Sequence, residues 1–244
     1  MKERLGFIGL GAMGSRMALS ASRIYEVSGF DLNVPAKRLT DQIRIGRSVA
    51  EVGALCEIVC LSLPNSEAVE EVVSGGDGLG NAMAPGGVII DLSTTEPNIT
   101  VRLARELASL KIEYVDAPVS GGVGGAENGT LSVMVGASER SFERVRPVLE
   151  AIGRDIVRVG DVGAGGVAKL ANNMIVGAAF ASIAESFALA SKAGIRVEKL
   201  YEAIKGGWAG SAVLDVSAKA MIERDYSPTG TVKMLAKDMS YARR

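Results

Sequence analysis

The chain has 244 residues, which is enough for one large domain or two of ordinary size. Its 48% hydrophobic and 23% charged residues are typical of a globular protein with a substantial core. A formal net charge of −1 provides no basic surface, so we expect neither nucleic acid nor a membrane as a partner. The absence of histidine excludes Ser-His-Asp hydrolases, histidine metal sites and dehydrogenases with a histidine base. An acid–base catalyst must therefore be Lys, Asp, Glu, Tyr or Cys.

The two cysteines, Cys56 and Cys60, lie four residues apart in an apolar segment. Without histidine this spacing does not favour zinc, and a bridge inside a strand is geometrically implausible. We therefore predict buried, reduced thiols, no metal site and a cytoplasmic location. The short apolar run Leu5–Leu10 leads directly into a glycine-rich turn and does not resemble a signal peptide.

Up to about residue 160, short apolar runs alternate with amphipathic segments, which predicts βαβ units and a parallel sheet. The predicted strands are Leu5–Ile8, Val27–Phe30, Ile58–Leu63, Val88–Asp91, Tyr114–Asp116, Leu131–Val135 and Ile156–Val159. The predicted helices are Gly14–Ser22, Ser66–Val73, Ile99–Leu110 and Glu139–Ala151.

After Gly160 the pattern changes. Residues 161–166 form a predicted glycine-rich hinge, and Val167–Ala193 form a long apolar helix that ends at Gly194. Polar residues within this helix would be costly in lipid, so we expect a buried helix of a soluble protein. Shorter helices are predicted at Val197–Ile204, at Leu214–Glu223 and near Thr231. We thus predict an α/β domain over residues 1–163 and an all-α domain over 164–244.

The first motif is Gly9-Leu10-Gly11-Ala12-Met13-Gly14, between a predicted strand and a predicted helix. In this context the glycines permit a tight turn and close approach of a pyrophosphate, which predicts a Rossmann-type dinucleotide site. The alternative is an ordinary strand-to-helix turn. Asp31 ends the second predicted strand, where an acidic residue binds the ribose hydroxyls. No arginine follows it directly, so NAD is favoured over NADP.

Three further segments follow predicted strands. Leu61–Asn65 and Asp91–Thr95 lie where ligands gather in open α/β sheets, although helix capping is the favoured explanation when such residues are taken alone. The amides of Ser120, Gly121 and Gly122 suit a carboxylate, and the alternative is a flexible surface loop.

Lys169 lies on the long apolar helix, and Asn172 and Asn173 are three and four residues further on. These positions share one helix face. Burial lowers the pKa of a lysine, which suits an acid–base catalyst of carbonyl reduction. The alternative is a lysine whose stem is buried and whose amine reaches solvent. Lys237-Asp238 would by itself be interpreted as a surface ion pair.

Taken together, these motifs resemble the β-hydroxyacid dehydrogenase family, which includes 3-hydroxyisobutyrate dehydrogenase and tartronate semialdehyde reductase. The resemblance covers nearly the whole chain and rests on Gly9–Gly14, Leu63–Asn65, Asp91–Thr94, Asp116–Gly122, Gly163–Asn173 and Lys237–Asp238. It implies an NAD(P)-dependent oxidoreductase that interconverts a small 3-hydroxy acid and its semialdehyde, with the active site between the two domains.

The resemblance also implies a role for each matching residue. Lys169 would be the general acid/base, and Asn173 would act with it. Ser120, Gly121, Gly122 and Asn172 would hold the substrate carboxylate. The cofactor would contact the glycine-rich turn and Leu63, Pro64, Thr94 and Lys237.

Members of the family usually continue past the Lys-Asp motif, whereas this chain stops at Arg244. A shortened second domain would leave apolar faces uncovered. Either the protein was cut after Arg244, or a partner subunit covers these faces. Family members commonly oligomerise through the helical domain, so a homo-oligomer is expected. Three alternatives stay open: a catalytically silent dinucleotide-binding or scaffolding relative, an imine reductase-like enzyme, and 6-phosphogluconate dehydrogenase. Lys169 argues against the first two, and the missing histidine argues against the third.

Overall fold

The computed structural model describes residues 2–33, 39, 41–225 and 231–243. These residues group into two compact units, Met1–Lys169 and Leu170–Arg244. The predicted domain boundary at residue 163 lies six residues before the end of the first unit. The first unit is α/β and the second is helical, so the predicted fold class, a Rossmann-type domain followed by an all-α domain, is confirmed.

The first unit contains one sheet, which has nine strands among the described residues. The strands are β1 (Arg4–Ile8), β2 (Glu26–Phe30), β3 (Arg44–Ile45), β4 (Ile58–Leu61), β5 (Val88–Asp91), β6 (Glu113–Asp116), β7 (Val119–Ser120), β8 (Leu131–Gly136) and β9 (Gly153–Gly160). The strand order is β3-β2-β1-β4-β5-β6-β8-β7, and β9 pairs with β8.

The sheet is parallel from β3 to β6, and this is the doubly wound order of dinucleotide-binding domains. The prediction of a parallel sheet is wrong for the pairs that β8 forms with β6 and β7, whereas β8 and β9 are parallel. Strand β8 runs antiparallel to both β6 and β7, and β7 is joined to β8 by residues 121–130, a shorter connection than the dozen or more residues of a parallel crossover.

Among the described residues, seven helices belong wholly to the first unit: α1 (Gly14–Ser22), α2 (Val49–Leu55), α3 (Ser66–Ser74), α4 (Leu79–Ala82), α5 (Pro97–Ser109), α6 (Gly122–Asn128) and α7 (Glu139–Glu150). Side-chain oxygens of Ser48, Asn65 and Ser138 accept backbone N–H groups at the starts of α2, α3 and α7. The predicted helices are present, with ends that differ by up to two residues. The short elements β3, β7, α2, α4 and α6 were not predicted.

Both faces of the sheet are covered by apolar clusters. One cluster includes Phe7 and Met17, and the other includes Leu61 and Leu103. Cys56 and Cys60 are buried thiols without a bridge. Burial raises the pKa of Cys56 to about 11 and that of Cys60 further, so both stay protonated at neutral pH.

The long helix α8 (Ala164–Lys192) passes from the first unit into the second. It is followed by α9 (Val197–Ile204), α10 (Ala212–Glu223) and α11 (Val232–Tyr241). A small core joins Phe187 of α8 to Leu214 and Ala218 of α10.

The expectation that the long helix is buried is wrong for this chain, because only a few side chains of α8 have helical neighbours. Ile175 is 72% exposed and Leu189 is 71% exposed. By length and composition α8 is the one described helix that could cross a membrane, and 11% of its most apolar window is buried. Segment 161–166 is also not a free hinge, since α8 already begins at Ala164.

Candidate active site

Four central strands of the sheet end in register. Ile8, Leu61, Asp91 and Asp116 are aligned across β1, β4, β5 and β6, and Phe30 of β2 is paired with Ile8. The predicted motifs at Gly9, Asp31, Leu63, Thr94 and Ser120 therefore all leave the sheet at the same edge. Ligands bind at this edge in open α/β sheets.

The glycine-rich turn has the geometry that its sequence predicts. Gly9 has φ +91°, and a Cβ there would lie 2.3 Å from the carbonyl oxygen of Ser62. A Cβ at Gly14 would lie 1.9 Å from the carbonyl oxygen of Gly9. By contrast, a Cβ at Gly11 would have no atom within 4 Å. The first and third glycines are thus required by packing, and the second faces open space.

That space is a cavity of about 240 Å³, lined by Leu10, Gly11, Ala12, Ser15, Arg16, Leu19 and Leu39. No side chain caps the start of α1, and its first turn contains no acidic residue. The first-turn amides and the positive end of the helix dipole therefore suit a phosphate. The exposed Gly11 and the uncapped helix start fit a dinucleotide pyrophosphate.

Asp31 lies beside this turn. Its Oδ2 accepts the N–H of Leu10 at 2.6 Å, and its Oδ1 accepts the N–H of Asn33 at 2.8 Å. These bonds hold the carboxylate at the end of β2, half-buried and next to the glycine-rich turn. A carboxylate at this place suits ribose hydroxyls and repels a 2′-phosphate.

The ends of β4 and β5 are joined by hydrogen bonds. The backbone N–H of Leu63 donates to Ser93 Oγ at 2.9 Å. The buried Asp91 carboxylate accepts Ser93 N–H, Thr95 Oγ1–H and Tyr114 Oη–H. Burial raises the pKa of Asp91, and burial with the adjacent Asp91 charge raises that of Tyr114. Asn65 does cap α3, so the capping interpretation holds for that residue, while the half-buried Leu63 and Thr94 and the exposed Pro64 line the sheet edge.

Ser120 ends β7, Gly121 connects it to α6, and Gly122 begins α6. Ser120 pairs with Ser132 of β8, so the segment begins inside the sheet rather than as a free loop. Gly121 and Gly122 have φ values of +131° and +62°, which only glycine adopts without strain. Both are exposed, and their backbone turn faces solvent.

Asp116 is the main residue that the sequence argument left without a role. It is 2% exposed, and its carboxylate accepts the N–H groups of Gly163 at 2.7 Å and Gly166 at 2.8 Å. Burial raises its pKa to about 6, the two N–H bonds oppose the rise, and the nearby Asp91 adds to it. The sequence feature that could have identified Asp116 is a carboxylate at the end of a buried strand.

Lys169, Asn172 and Asn173 lie on consecutive turns of α8, as predicted, and Lys169 is half-buried. In the second unit, buried Asn173 donates from Nδ2 to Asp238 Oδ2 at 2.7 Å. It also accepts Nδ2–H of Asn172 at 3.0 Å on Oδ1. This orients the Asn173 amide by both its oxygen and its nitrogen.

The same Asp238 carboxylate contacts Lys237, whose Nζ lies 3.0 Å from Asp238 Oδ1. The Nζ also lies 4.7 Å from the centre of the Tyr241 ring. Lys237-Asp238 is therefore not a simple surface pair, since Asp238 is buried and joins Lys237 to Asn173. The sequence motif includes Asp238, but nothing in the sequence connects Asp238 with Asn173, which lies 65 residues earlier in the chain.

Two family models match the chain. One, described as the NAD binding domain of 6-phosphogluconate dehydrogenase, matches residues 4–160. The other, described as "NAD-binding of NADP-dependent 3-hydroxyisobutyrate dehydrogenase", matches residues 163–244. The fold, the glycine-rich turn and these matches define an NAD(P)-binding oxidoreductase.

Known proteins narrow the class. The chain is 38% identical to the 2-(hydroxymethyl)glutarate dehydrogenase of Eubacterium barkeri, over 98% of this chain and 81% of that protein. It is also 38% identical to the 2-hydroxy-3-oxopropionate reductase of Escherichia coli, over 98% and 82%. A solved structure titled Psf3 in complex with NADP+ and 2-OPP has a TM-score of 0.92 at 25% identity, over 98% of this chain and 86% of that one.

The chain belongs to the β-hydroxyacid dehydrogenase family. It is thus an oxidoreductase of the class that acts on CH–OH groups.

Proposed function

We propose that this protein is an NAD-dependent oxidoreductase that interconverts a small 3-hydroxy acid and its semialdehyde, with Lys169 as the general acid/base. The observation that carries the proposal is the placement of Lys169, Asn172 and Asn173 on one face of α8, in a chain without histidine. The names of the relatives, which include a hydroxy-acid dehydrogenase and an oxopropionate reductase, support this substrate class.

Each residue has a task in this mechanism. The amides of Ser120, Gly121 and Gly122 bind the substrate carboxylate, assisted by Asn172. Bound NAD supplies the hydride acceptor. In the oxidation direction the neutral amine of Lys169 accepts the hydroxyl proton, and in reduction its ammonium returns that proton to the carbonyl oxygen. Asn173, held by Asp238, would keep the substrate oxygen in line with Lys169, and Lys237 would contact the bound cofactor.

The preference for NAD over NADP rests on Asp31. Its carboxylate is fixed beside the glycine-rich turn by Leu10 N–H. A 2′-phosphate placed there would meet a like charge, whereas two ribose hydroxyls would donate hydrogen bonds to it. A similar solved structure is named as an NADP+ complex, so a comparison of NAD with NADP tests this preference directly.

A steady-state screen of small 3-hydroxy acids with NAD and with NADP tests the proposal. Lys169→Ala should lower kcat by about 10²- to 10⁴-fold, the usual contribution of a general acid/base. Lys192→Ala is a matched control, because it removes an exposed lysine from the same helix. Near-normal turnover in Lys169→Ala, with chemistry limiting the rate, would contradict the mechanism. Cofactor binding by the wild type without turnover of any substrate would instead favour the catalytically silent alternative.

We also propose a cytoplasmic homo-oligomer that associates through its helical unit. Exposed apolar side chains on α8, such as Ile175 and Leu189, support association. The polar residues Asn172, Asn173 and Glu185 make lipid a poor environment for the same helix. Light scattering after gel filtration in detergent-free buffer should give the mass of a dimer or a larger assembly, and a monomer at micromolar concentration would contradict this part.

A further inference from the structure

The carboxylate of Asp116 joins two segments that the proposed function uses. Asp116 ends β6, and only four residues further on the chain reaches Ser120. Its two hydrogen bonds reach the opposite segment, at Gly163 and Gly166, which lie six and three residues before Lys169. All of these residues belong to the first unit.

The carboxylate fits its space closely. A Cβ at Gly136 would lie 2.4 Å from Asp116 Oδ1. A Cβ at Gly165 would lie 2.9 Å from Asp116 Oδ2 and 2.5 Å from the carbonyl oxygen of Met134. Two glycines therefore make room for the side chain, and two N–H groups bind its oxygens. This arrangement fixes the carboxylate in position and orientation.

The segment from Asp116 to Ser120 is held by the sheet. Ala117 N–H donates to the carbonyl oxygen of Asp91, and Met134 N–H donates to that of Pro118. Ser120 is then paired with Ser132. The segment has little freedom of its own, so a shift of α8 relative to Asp116 is a shift relative to Ser120.

We propose that Asp116 is a positioning residue that sets the distance between Lys169 and the Ser120–Gly122 turn by holding the first turn of α8. This rests on the proposed function, because it assigns the acid/base and the carboxylate-binding turn to those residues. Reacting groups must be held within about 1 Å of their productive geometry, and a misplacement of that size costs about 10²-fold in rate. Asp116 connects the segment that leads to Lys169 with the segment that leads to the Ser120–Gly122 turn, so the loss of its hydrogen bonds would cause such a misplacement.

Two variants disturb the connection between Asp116 and the first turn of α8 in different ways. Asp116→Asn has nearly the same size, but it offers one acceptor oxygen and an NH₂ group, so one of the two backbone N–H groups faces a donor. Gly165→Ala keeps the carboxylate and pushes α8 away from β6 and β8. The matched control is Gly166→Ala, which keeps its N–H and whose Cβ would have its nearest contact with the carbonyl oxygen of Thr95, at 3.4 Å.

Three measurements on the full chain decide the outcome: kcat with a hydroxy acid that the wild type oxidises, the Kd for NADH, and hydrogen exchange of residues 163–169. Asp116→Asn and Gly165→Ala should lower kcat by about 10- to 100-fold while the Kd for NADH changes by less than about twofold. Exchange of the first-turn amides should be faster in both variants. Gly166→Ala should match the wild type in all three.

The proposal is overturned if both disturbing variants keep kcat within about twofold of the wild type, or if exchange at 163–169 is unchanged. An equal loss of kcat and of NADH binding would also overturn it, because Asp116 would then only support the fold. If the wild type oxidises no hydroxy acid, the proposed function fails. Unchanged hydrogen exchange in the same variants would still refute the positioning role of Asp116 independently.

Discussion

Replacing Asp116 by asparagine removes a buried carboxyl group whose charge changes within the pH range of ordinary experiments. Its pKa lies at about 6 in the folded protein, against an ordinary value of 3.8, mainly because burial disfavours the carboxylate. Between these two pH values the folded protein binds more protons than the unfolded chain. The free energy of unfolding that Asp116 contributes must therefore fall as the pH rises from about 4 to about 6.

The magnitude follows from the gap between the two pKa values. The full gap corresponds to about 3 kcal/mol, and about 1.4 kcal/mol of it is lost between about pH 5 and about pH 7.5. Asparagine does not titrate, so the stability difference between the wild type and Asp116→Asn should shrink by about 1.4 kcal/mol over that interval. Asp91 and Tyr114 face the same space in both proteins, so their contributions largely cancel in the difference.

Urea unfolding of both proteins at several pH values measures this difference. Asp77→Asn, at an exposed aspartate, controls for the change of side chain. A stability difference that stays constant from about pH 5 to about pH 7.5, or that grows with pH, would refute the assignment of a raised pKa to Asp116.

Two other predictions concern the cofactor. Gly11→Ala should leave the thermal midpoint nearly unchanged, because its Cβ meets nothing within 4 Å, yet weaken NADH binding by at least about tenfold, since the Cβ stands where the pyrophosphate approaches. Gly14→Ala should instead lose at least about 2 kcal/mol of stability, because its Cβ would lie 1.9 Å from a carbonyl oxygen. Calorimetry measures the stability of the two glycine variants, and fluorescence titration measures their NADH binding. Equal behaviour of the two variants would contradict the different roles given to Gly11 and Gly14. Asp31→Asn should lower the ratio of kcat/KM for NAD to that for NADP by about tenfold, which corresponds to about 1.4 kcal/mol of lost charge repulsion. An unchanged ratio would exclude Asp31 as the residue that selects NAD.

The sequence by itself was enough for features with a local cause. The glycine-rich turn, its strand and its helix lie within residues 4–22, and hydrophobic periodicity together with the requirement for positive φ at Gly9 specifies them. The spacing of Lys169, Asn172 and Asn173 follows from helix geometry alone. The motifs by themselves are specific enough to indicate the family.

The tertiary structure decided what depends on contacts between distant segments. The two-residue strands β3 and β7 are too short to show a period, and the antiparallel pairing of β8 depends on its partners. The exposure of α8 depends on how many helices surround it, which its own composition does not specify. The roles of Asp116 and Asp238 arise from hydrogen bonds to residues 47 to 65 positions away. A buried carboxylate is recognisable in a sequence as unusual, but its partners are chosen by the packing of the whole chain.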